Sequence, residues 1–272
     1  MGEVVHPGFR AFVARIGGKE GRAWIATVPD RLAAAGSLWN LELGPELPGG
    51  LLACVVEATA SDGREAVLKL PSPWARGGDE VEALRAWGGR GAPQLLADDP
   101  ELGAILVERI RPGDHADDLE AATVAGLLRT LGVPPTAGAP ELGAMVARRI
   151  ANAEADGRSS PKRLGWARDA LARLEEKSPP AVLVHGDFAE RNILRCARRG
   201  MCAIDPLVAA GDPLYDAAYW IHGTGRPGRR ARFNALSDAL DLDRDERARL
   251  RDWCGVIAVH GEICTTSWRR RA

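Results

Sequence analysis

The sequence predicts an α+β fold in two lobes, with an antiparallel sheet in the N-terminal lobe and a mostly helical C-terminal lobe. Segments with strand character fall mainly within the first 110 of the 272 residues, and the longer segments that follow have the apolar spacing of helices. Strands and helices therefore do not alternate, as they would in a parallel α/β sheet. The tetrapeptide Arg-Pro-Gly-Asp at 111–114 marks the expected boundary, which gives lobes of residues 1–110 and 111–272.

The N-terminal lobe is expected to begin with helices and to continue with strands. Apolar residues at helical spacing predict two helices, at 7–16 and 21–35. Three strands follow, and the sequence Ser-Asp-Gly at 61–63 forms a turn between the second and the third. A helix that ends at glycines and a two-stranded hairpin complete the lobe. These later elements are predicted as strands 38–44, 51–60 and 65–70, helix 79–89 and hairpin 94–110.

The C-terminal lobe is predicted to be helical apart from a short strand and a hairpin. Prolines and glycines lie between the first three helices and indicate that these are separate elements. The short strand ends immediately before His185, and the hairpin begins immediately after Asn192. The predicted elements are helices 117–131, 140–156 and 161–177, strand 181–184, hairpin 193–204, and helices at about 212–222, 228–240 and 243–258.

Composition excludes several classes of protein. The net charge of −1 gives no support to a nucleic-acid or anionic-membrane partner. No apolar run is long enough for a transmembrane helix, and the first residues lack the apolar core of a signal peptide, so we expect a cytoplasmic protein without a membrane partner. Five cysteines without C-x-x-C spacing indicate reduced thiols, not a disulfide framework or a structural zinc site.

Lys69 lies in the third predicted strand, where two interpretations are open. It is either a solvent-facing lysine on an edge strand, or a cation that a sheet holds where it can neutralise phosphate oxygens. The helix that follows carries Glu80 and Glu82, and a carboxylate from such a helix could fix the ammonium group. Taken alone, Glu80 equally suits the N-terminus of a helix, where its charge complements the helix dipole.

Polar residues follow two short apolar runs at the positions where strands are predicted to end. Asp187 lies just beyond the end of a buried strand, after His185 and Gly186, Asn192 lies five residues later, and Asp205 follows a second apolar run. Catalytic carboxylates often lie on loops that are positioned by rigid strands or helices. The spacing D-x-x-x-x-N, with a histidine two residues before the aspartate, matches the catalytic loop of protein kinases. Asn192 and Asp205 would supply hard oxygen ligands suited to magnesium.

Competing chemistries lack their motifs. The sequence contains no G-x-x-x-x-G-K-[ST], which disfavours a P-loop NTPase, and no G-x-S-x-G, which weakens a hydrolase interpretation. A purely structural helical protein would not explain two strand ends that each carry an aspartate.

With these motifs, the sequence resembles the aminoglycoside phosphotransferases, and more narrowly their streptomycin 6-kinase and hydroxyurea kinase branch. The resembling segments include DGREAVLKL, EALRAWGGRGAPQLL, ILVERI, VHGDFAERN and AIDPLVAAGDPLYDAA. The resemblance implies a bilobal protein-kinase-like fold and an ATP-dependent, magnesium-dependent phosphotransferase that acts on a hydroxyl of a small molecule, such as streptomycin. This activity would inactivate an antibiotic.

The resemblance also implies a role for individual residues. Lys69 would contact the ATP phosphates and Glu80 would pair with it, Asp187 would be the catalytic base, and Asn192 with Asp205 would bind Mg²⁺. Backbone groups around Glu108, Arg109 and Ile110 would meet the adenine. Asp216 would brace the catalytic loop.

The acceptor is less well defined by the sequence. A dicationic acceptor such as streptomycin needs acidic side chains near Asp187, and the candidates are Asp212, Asp252 and Glu262; Asp212 equally suits a helix N-cap. The basic residues 269–271 would repel such an acceptor if they folded over it. Phe188 and Ala189 depart from the H-G-D-L-H sequence common in the family. The alternatives are a kinase of hydroxyurea or another hydroxylated metabolite, and an inactive nucleotide-binding protein with a shortened C-terminus.

Overall fold

A computed structural model describes residues 7–47, 53–75, 77–116, 119–223 and 228–260. The chain divides into two compact units, Met1–Gly113 and Asp114–Ala272, so the division falls three residues after the boundary expected from the sequence. Within the described residues, no helix combines the length and the apolar content needed to cross a membrane.

The first unit is built on a five-stranded antiparallel sheet. Its strands lie in the order β1-β2-β3-β5-β4, and a helix connects β3 to β4. Strand β3 therefore occupies the middle of the sheet, between β2 and β5, and five consecutive residues of it are buried. The elements are α1 (Pro7–Leu38), β1 (Leu41–Glu46), β2 (Ala53–Ala60), β3 (Glu65–Pro71), α2 (Gly77–Trp87), β4 (Leu95–Asp99) and β5 (Ala104–Glu108).

Helix α1 is interrupted at Gly18, whose φ of 54° and ψ of −125° are not helical. The two predicted helices at 7–16 and 21–35 thus lie on either side of this break. The predicted strand at 38–44 begins too early, because the helix continues to Leu38 and the chain turns at Asn40 before β1. Asn40 has a φ of 50°, a left-handed conformation that asparagine tolerates better than most residues.

The second unit contains six helices and four short strands among its described residues, apart from the strand at the boundary between the units. Helix α8 packs against α5 and α6, and α3 packs against α7. The elements are β6 (Pro112–His115), α3 (Ala121–Leu131), α4 (Leu142–Ala155), α5 (Pro161–Glu176), β7 (Val182–Val184), β8 (Ile193–Cys196), β9 (Gly200–Ala203), β10 (Ala209–Gly211), α6 (Leu214–His222), α7 (Arg229–Ala239) and α8 (Arg244–His260).

Strands β6 and β10 are not among the elements predicted from the sequence. Strand β10 pairs antiparallel with β7, and β6 lies beside β8 in the sheet β6-β8-β9. Both are too short to show a period, and Pro112 with Gly113 in β6 has no strand propensity. Their pairing comes from tertiary structure. It fixes both ends of the segment between β7 and β8, which carries the H-G-D-x-x-x-x-N motif.

Candidate functional site

The loop between β7 and β8 begins with a backbone conformation that only glycine adopts easily. Gly186 has a φ of 76°, and a Cβ atom on it would lie 2.1 Å from the carbonyl oxygen of Leu207. The backbone N–H of Leu207 donates to the carbonyl of His185 at 2.8 Å, which holds the two segments together. The glycine of the motif is therefore required by both φ and close packing.

Asp216, in the first turn of α6, fixes the start of this loop. One carboxylate oxygen accepts from the N–H of His185 at 2.6 Å and the other from the N–H of Gly186 at 2.9 Å. Burial raises the pKa of Asp216 to about 7, while the two backbone hydrogen bonds act in the opposite direction. These contacts confirm that Asp216 braces the loop between β7 and β8, as predicted; the catalytic role of the loop stays a prediction.

Arg149 of α4 adds a second brace. Its guanidinium group donates to the hydroxyl of Tyr215 at 2.6 Å and to the carbonyl of Gly186 at 3.3 Å. Helices α4 and α6 thus both hold Gly186, α4 at its carbonyl and α6 at its N–H.

His185 is fully buried beside the loop and has a structural role. Its Nε2 lies 3.0 Å from the carbonyl oxygen of Ile204, and its ring packs edge-on against Phe188. Burial lowers the pKa of His185 to about 4, so the imidazole is neutral near pH 7. The neutral ring donates from Nε2 to that carbonyl, which leaves Nδ1 to accept from the N–H of Asp187 at 3.4 Å.

The loop held by these contacts carries Asp187, whose carboxylate is itself oriented by two neighbouring side chains. Asp187 is 8% exposed, and the side-chain amide of Asn192 donates to its Oδ2 at 2.8 Å and to its backbone carbonyl at 2.9 Å. Arg191 donates to both of its carboxylate oxygens at 2.6 Å. A carboxylate oriented from two sides in this way has the fixed geometry that a general base requires.

Asn192 and Asp205 present oxygen atoms suited to a magnesium ion. The Nδ2 of Asn192 donates to Asp187, so its Oδ1 is the atom left to accept or to bind a metal. The N–H of Ile204 donates to the Asn192 carbonyl at 2.8 Å, which places exposed Asp205 one residue beyond that contact. Two such ligands fit Mg²⁺, which is commonly held by few protein oxygens together with phosphates and water. No cluster of three or more His, Cys, Asp or Glu side chains able to hold a metal occurs in the parts of the chain that the structure describes.

Lys69 and Glu80 form a buried ion pair in the first unit. The Nζ of Lys69 lies 2.5 Å from Oε1 of Glu80, and the two residues are 6% and 9% exposed. The interpretation of Lys69 as a solvent-facing residue on an edge strand is wrong, because β3 is central in the sheet. Glu80 likewise does more than complement the dipole of α2.

The segment predicted to contact adenine begins at Glu108, the last residue of β5. The N–H of Glu108 donates to the carbonyl of Gln94 at 2.9 Å, Arg109 pairs with Glu57 at 2.8 Å, and Ile110 is buried. Their contacts are internal to the first unit, and the adenine role stays a prediction.

Two of the three acidic residues predicted to bind a cationic acceptor have partners within the second unit. Asp212 is 2% exposed; it accepts from the N–H of Leu214 at 2.9 Å and from Trp253 at 2.6 Å, and it pairs with Arg249. Its carboxylate thus joins α6 to α8, and the N-cap position of α6 is Pro213, without a side-chain cap. A role of Asp212 towards the acceptor stays a prediction. Asp252 has an ion pair with Arg173 of α5 at 3.5 Å. Glu262 and residues 269–271 lie outside the described residues.

Sequence reasoning missed Arg149, Arg191 and Arg249. Arg191 lies four residues after Asp187, a spacing that can bring opposite charges together, and this signal could have identified it. The other two act across 37 residues of sequence or more, and no local pattern marks them.

Comparison with known proteins gives a consistent answer. Residues 39–269 match the family described as aminoglycoside/hydroxyurea antibiotic resistance kinase. The chain is 34% identical to a streptomycin 6-kinase of Streptomyces griseus, over 90% of this chain and 86% of that one. It is 37% identical to a hydroxyurea phosphotransferase of Kitasatospora aureofaciens, over 86% of this chain and 73% of that one.

Solved structures support the same fold. A choline/ethanolamine kinase family protein from Mesorhizobium loti superimposes with a TM-score of 0.62 at 17% identity, over 90% of this chain and 88% of that one. A macrolide 2'-phosphotransferase type I gives 0.57 at 19% identity, over 88% and 91%. The predicted α+β, protein-kinase-like fold is confirmed. Because the family match and both relatives extend over most of the sequence, the protein belongs to the aminoglycoside/hydroxyurea antibiotic resistance kinases.

Proposed function

We propose that this protein transfers the γ-phosphoryl group of ATP to a hydroxyl of a small molecule, with Asp187 as the catalytic base. The observation that carries the proposal is the geometry of the 185–192 loop. Asp216 and Arg149 fix its backbone, and Asn192 orients the Asp187 carboxylate at 2.8 Å. Phosphoryl transfer asks little covalent chemistry of the protein, so positioning of this kind supplies much of the rate enhancement.

The remaining charged groups suit the nucleotide. Lys69, held by Glu80, offsets phosphate charge, and Asn192 with Asp205 holds Mg²⁺. The bound metal supplies positive charge against the developing charge on the phosphoryl oxygens. The backbone of Glu108, Arg109 and Ile110 meets the adenine. These assignments rest on matching motifs and on the donor chemistry described above.

Streptomycin is the first acceptor to test, because the chain is 34% identical to a streptomycin 6-kinase over most of both sequences. A specific observation favours hydroxyurea as a second candidate. Among the described residues, Asp212 is buried and Asp252 pairs with Arg173, so both acids predicted for a dication already have a partner inside the second unit. A small uncharged acceptor needs no such carboxylates.

We infer a cytoplasmic location from the chemistry of the proposed reaction, which consumes ATP. The four cysteines in the described segments are free, and the chain's thiols suit a reducing compartment. They are Cys54, Cys196, Cys202 and Cys254.

The test is a coupled ADP-release assay with Mg-ATP and each acceptor in turn. Streptomycin-dependent or hydroxyurea-dependent ADP release that is lost in Asp187→Asn supports the proposal and identifies the acceptor. The absence of acceptor-dependent turnover across aminoglycosides, aminocyclitols and hydroxyurea, despite measurable ATP binding, would support the inactive nucleotide-binding alternative.

A further inference from the structure

We propose that Arg191 covers the Asp187 carboxylate and selects against acceptors with positive charge beside the reacting hydroxyl. This inference rests on the proposed function, because it assigns Asp187 to the acceptor. It makes Arg191 a positioning residue that acts through Asp187, and it gives the acceptor class: a hydroxyl in an uncharged environment.

The geometry of the pair carries the proposal. One guanidinium nitrogen of Arg191 lies 2.6 Å from both Oδ1 and Oδ2 of Asp187. The Arg191 side chain is 39% exposed and that of Asp187 is 12% exposed. The arginine is therefore the more solvent-exposed partner, and it lies over both oxygens of the base.

The remaining acceptor capacity of Asp187 is small. An ionised carboxylate offers roughly four lone-pair positions. Arg191 uses one on each oxygen, and Asn192 uses a second on Oδ2. A neutral hydroxyl can donate to the position left on Oδ1 while Arg191 stays in place. A guanidino group needs the same oxygens, so it must displace Arg191 or approach it against like-charge repulsion.

The charged groups next to the loop do not reverse this preference. Glu190, the acid beside Arg191 in sequence, is 7% exposed and pairs with Arg232 at 2.7 Å. Arg149 contacts the Gly186 carbonyl. Asp216 is buried against backbone N–H groups, and exposed Asp205 is the proposed magnesium ligand. Of these groups, Asp187 is therefore the one whose negative charge could attract a cationic acceptor, and Arg191 neutralises that charge.

The experiment combines calorimetric binding of streptomycin with kinetics for streptomycin and hydroxyurea, using the full chain. We compare Arg191→Ala with Arg191→Gln, which removes the charge and keeps most of the length, and with Arg191→Lys, which keeps the charge. Arg195→Ala removes an exposed arginine four residues later, in β8, and is the matched control. The double variant Arg191→Ala with Asp187→Asn tests whether any effect acts through the base.

Both neutral variants should bind streptomycin about tenfold more tightly, because the Asp187 carboxylate, released from its ion pair with Arg191, can then pair with a guanidino group of the acceptor. Their kcat/KM for streptomycin should rise relative to that for hydroxyurea by a similar factor. Arg191→Lys and Arg195→Ala should resemble the unmodified protein. The gain in binding should vanish in the double variant, because the exposed carboxylate is its source.

Equal changes for the two acceptors would overturn the inference, and so would a binding gain that persists in the double variant. If neither acceptor is phosphorylated by any variant, the proposed acceptors are wrong, but the binding measurements still decide the role of Arg191. The two failures are therefore distinguishable.

Discussion

The carboxylate of Asp216 accepts a hydrogen bond of 2.6 Å from the backbone N–H of His185, 31 residues earlier in the sequence. The second oxygen of the same carboxylate binds the next N–H, that of Gly186. A side chain of α6 thus sets the direction in which the chain leaves β7, and with it the position of Asp187.

Replacing Asp216 by Asn should lower both stability and kcat. The amide offers one oxygen to two buried N–H donors, so one donor loses its partner, at a cost of about 1–3 kcal/mol. Chemical unfolding and the ADP-release assay measure the two effects. Asp238→Asn, at an exposed site in α7, is the control. Unchanged stability and activity in Asp216→Asn would show that the brace is dispensable.

Lys69→Met should destabilise the protein by about 3–5 kcal/mol, because it leaves the Glu80 carboxylate buried without its partner. The double variant Lys69→Met with Glu80→Leu should recover much of this stability, since no buried charge remains. It should not recover activity if Lys69 contacts the nucleotide. Unfolding free energies and kcat/KM for ATP separate the two roles, with exposed Lys162→Met as the control. Recovery of activity in the double variant would contradict the phosphate role.

Asp187→Asn should reduce kcat by about 10²–10⁴-fold, the usual contribution of a general base. The affinity for ATP should change little, since the group acts on the acceptor. Calorimetry of ATP binding, with exposed Asp169→Asn for comparison, checks this. A parallel loss of nucleotide affinity would reassign Asp187 to the metal.

The sequence predicted most of this framework because the decisive signals are local. The apolar runs that end at His185 and Asp205 mark strand ends, and the spacing from Asp187 to Asn192 is a short-range property of one loop. Lys69 and Glu80 lie on adjacent elements, and their pairing followed from family resemblance.

What could not be predicted depends on packing between distant segments. Arg149 reaches Gly186 across 37 residues, and Trp253 reaches Asp212 across 41. The sequence offers each of these side chains many polar residues as possible partners, and only the folded unit determines which of them it contacts. Asp212 and Asp252 were expected to serve the acceptor because a sequence shows charge without showing burial or pairing.

Asp205→Asn should weaken the magnesium-dependent part of nucleotide binding, because it removes the charge while keeping an oxygen. Asp205 has a φ of 56°, and asparagine tolerates this left-handed region, so the substitution should not strain the backbone. Asp241→Asn is a matched control, since Asp241 has a φ of 57° and is highly exposed. Nucleotide binding measured against Mg²⁺ concentration should change in the first variant only. The same Mg²⁺ dependence in both variants would remove Asp205 from the metal site.

His260→Phe should reduce the loss of stability in acid. His260 stacks on Tyr215, its Nε2 has no hydrogen-bond partner in the part of the chain described, and burial lowers its pKa to about 3. The unfolded chain takes up this proton near pH 6.5 and the folded chain near 3. The stabilisation is therefore present above pH 6.5 and is lost as the pH falls towards 3, by about 1.4 kcal/mol for each unit crossed.

Unfolding free energies between pH 7 and pH 4 test this prediction. Phenylalanine keeps the stacking and does not titrate, so the slope against pH should decrease. His185 and His222, whose pKa values burial lowers to about 4, still contribute in the variant. An unaltered slope in His260→Phe would show that this histidine is not protonated on unfolding.

The contacts of Asp212 determine how late in synthesis the second unit can complete its folding. The ribosome delivers Asp212 before Arg249 and Trp253, which follow 37 and 41 residues later. Until those residues are synthesised, burial of the Asp212 carboxylate is unfavourable because it lacks these partners, and the group stays hydrated. The catalytic loop is thus synthesised before the second unit can close around α6. A chain arrested between these two points would carry the whole 185–192 motif on an incomplete core, with apolar surface that the finished unit buries still exposed.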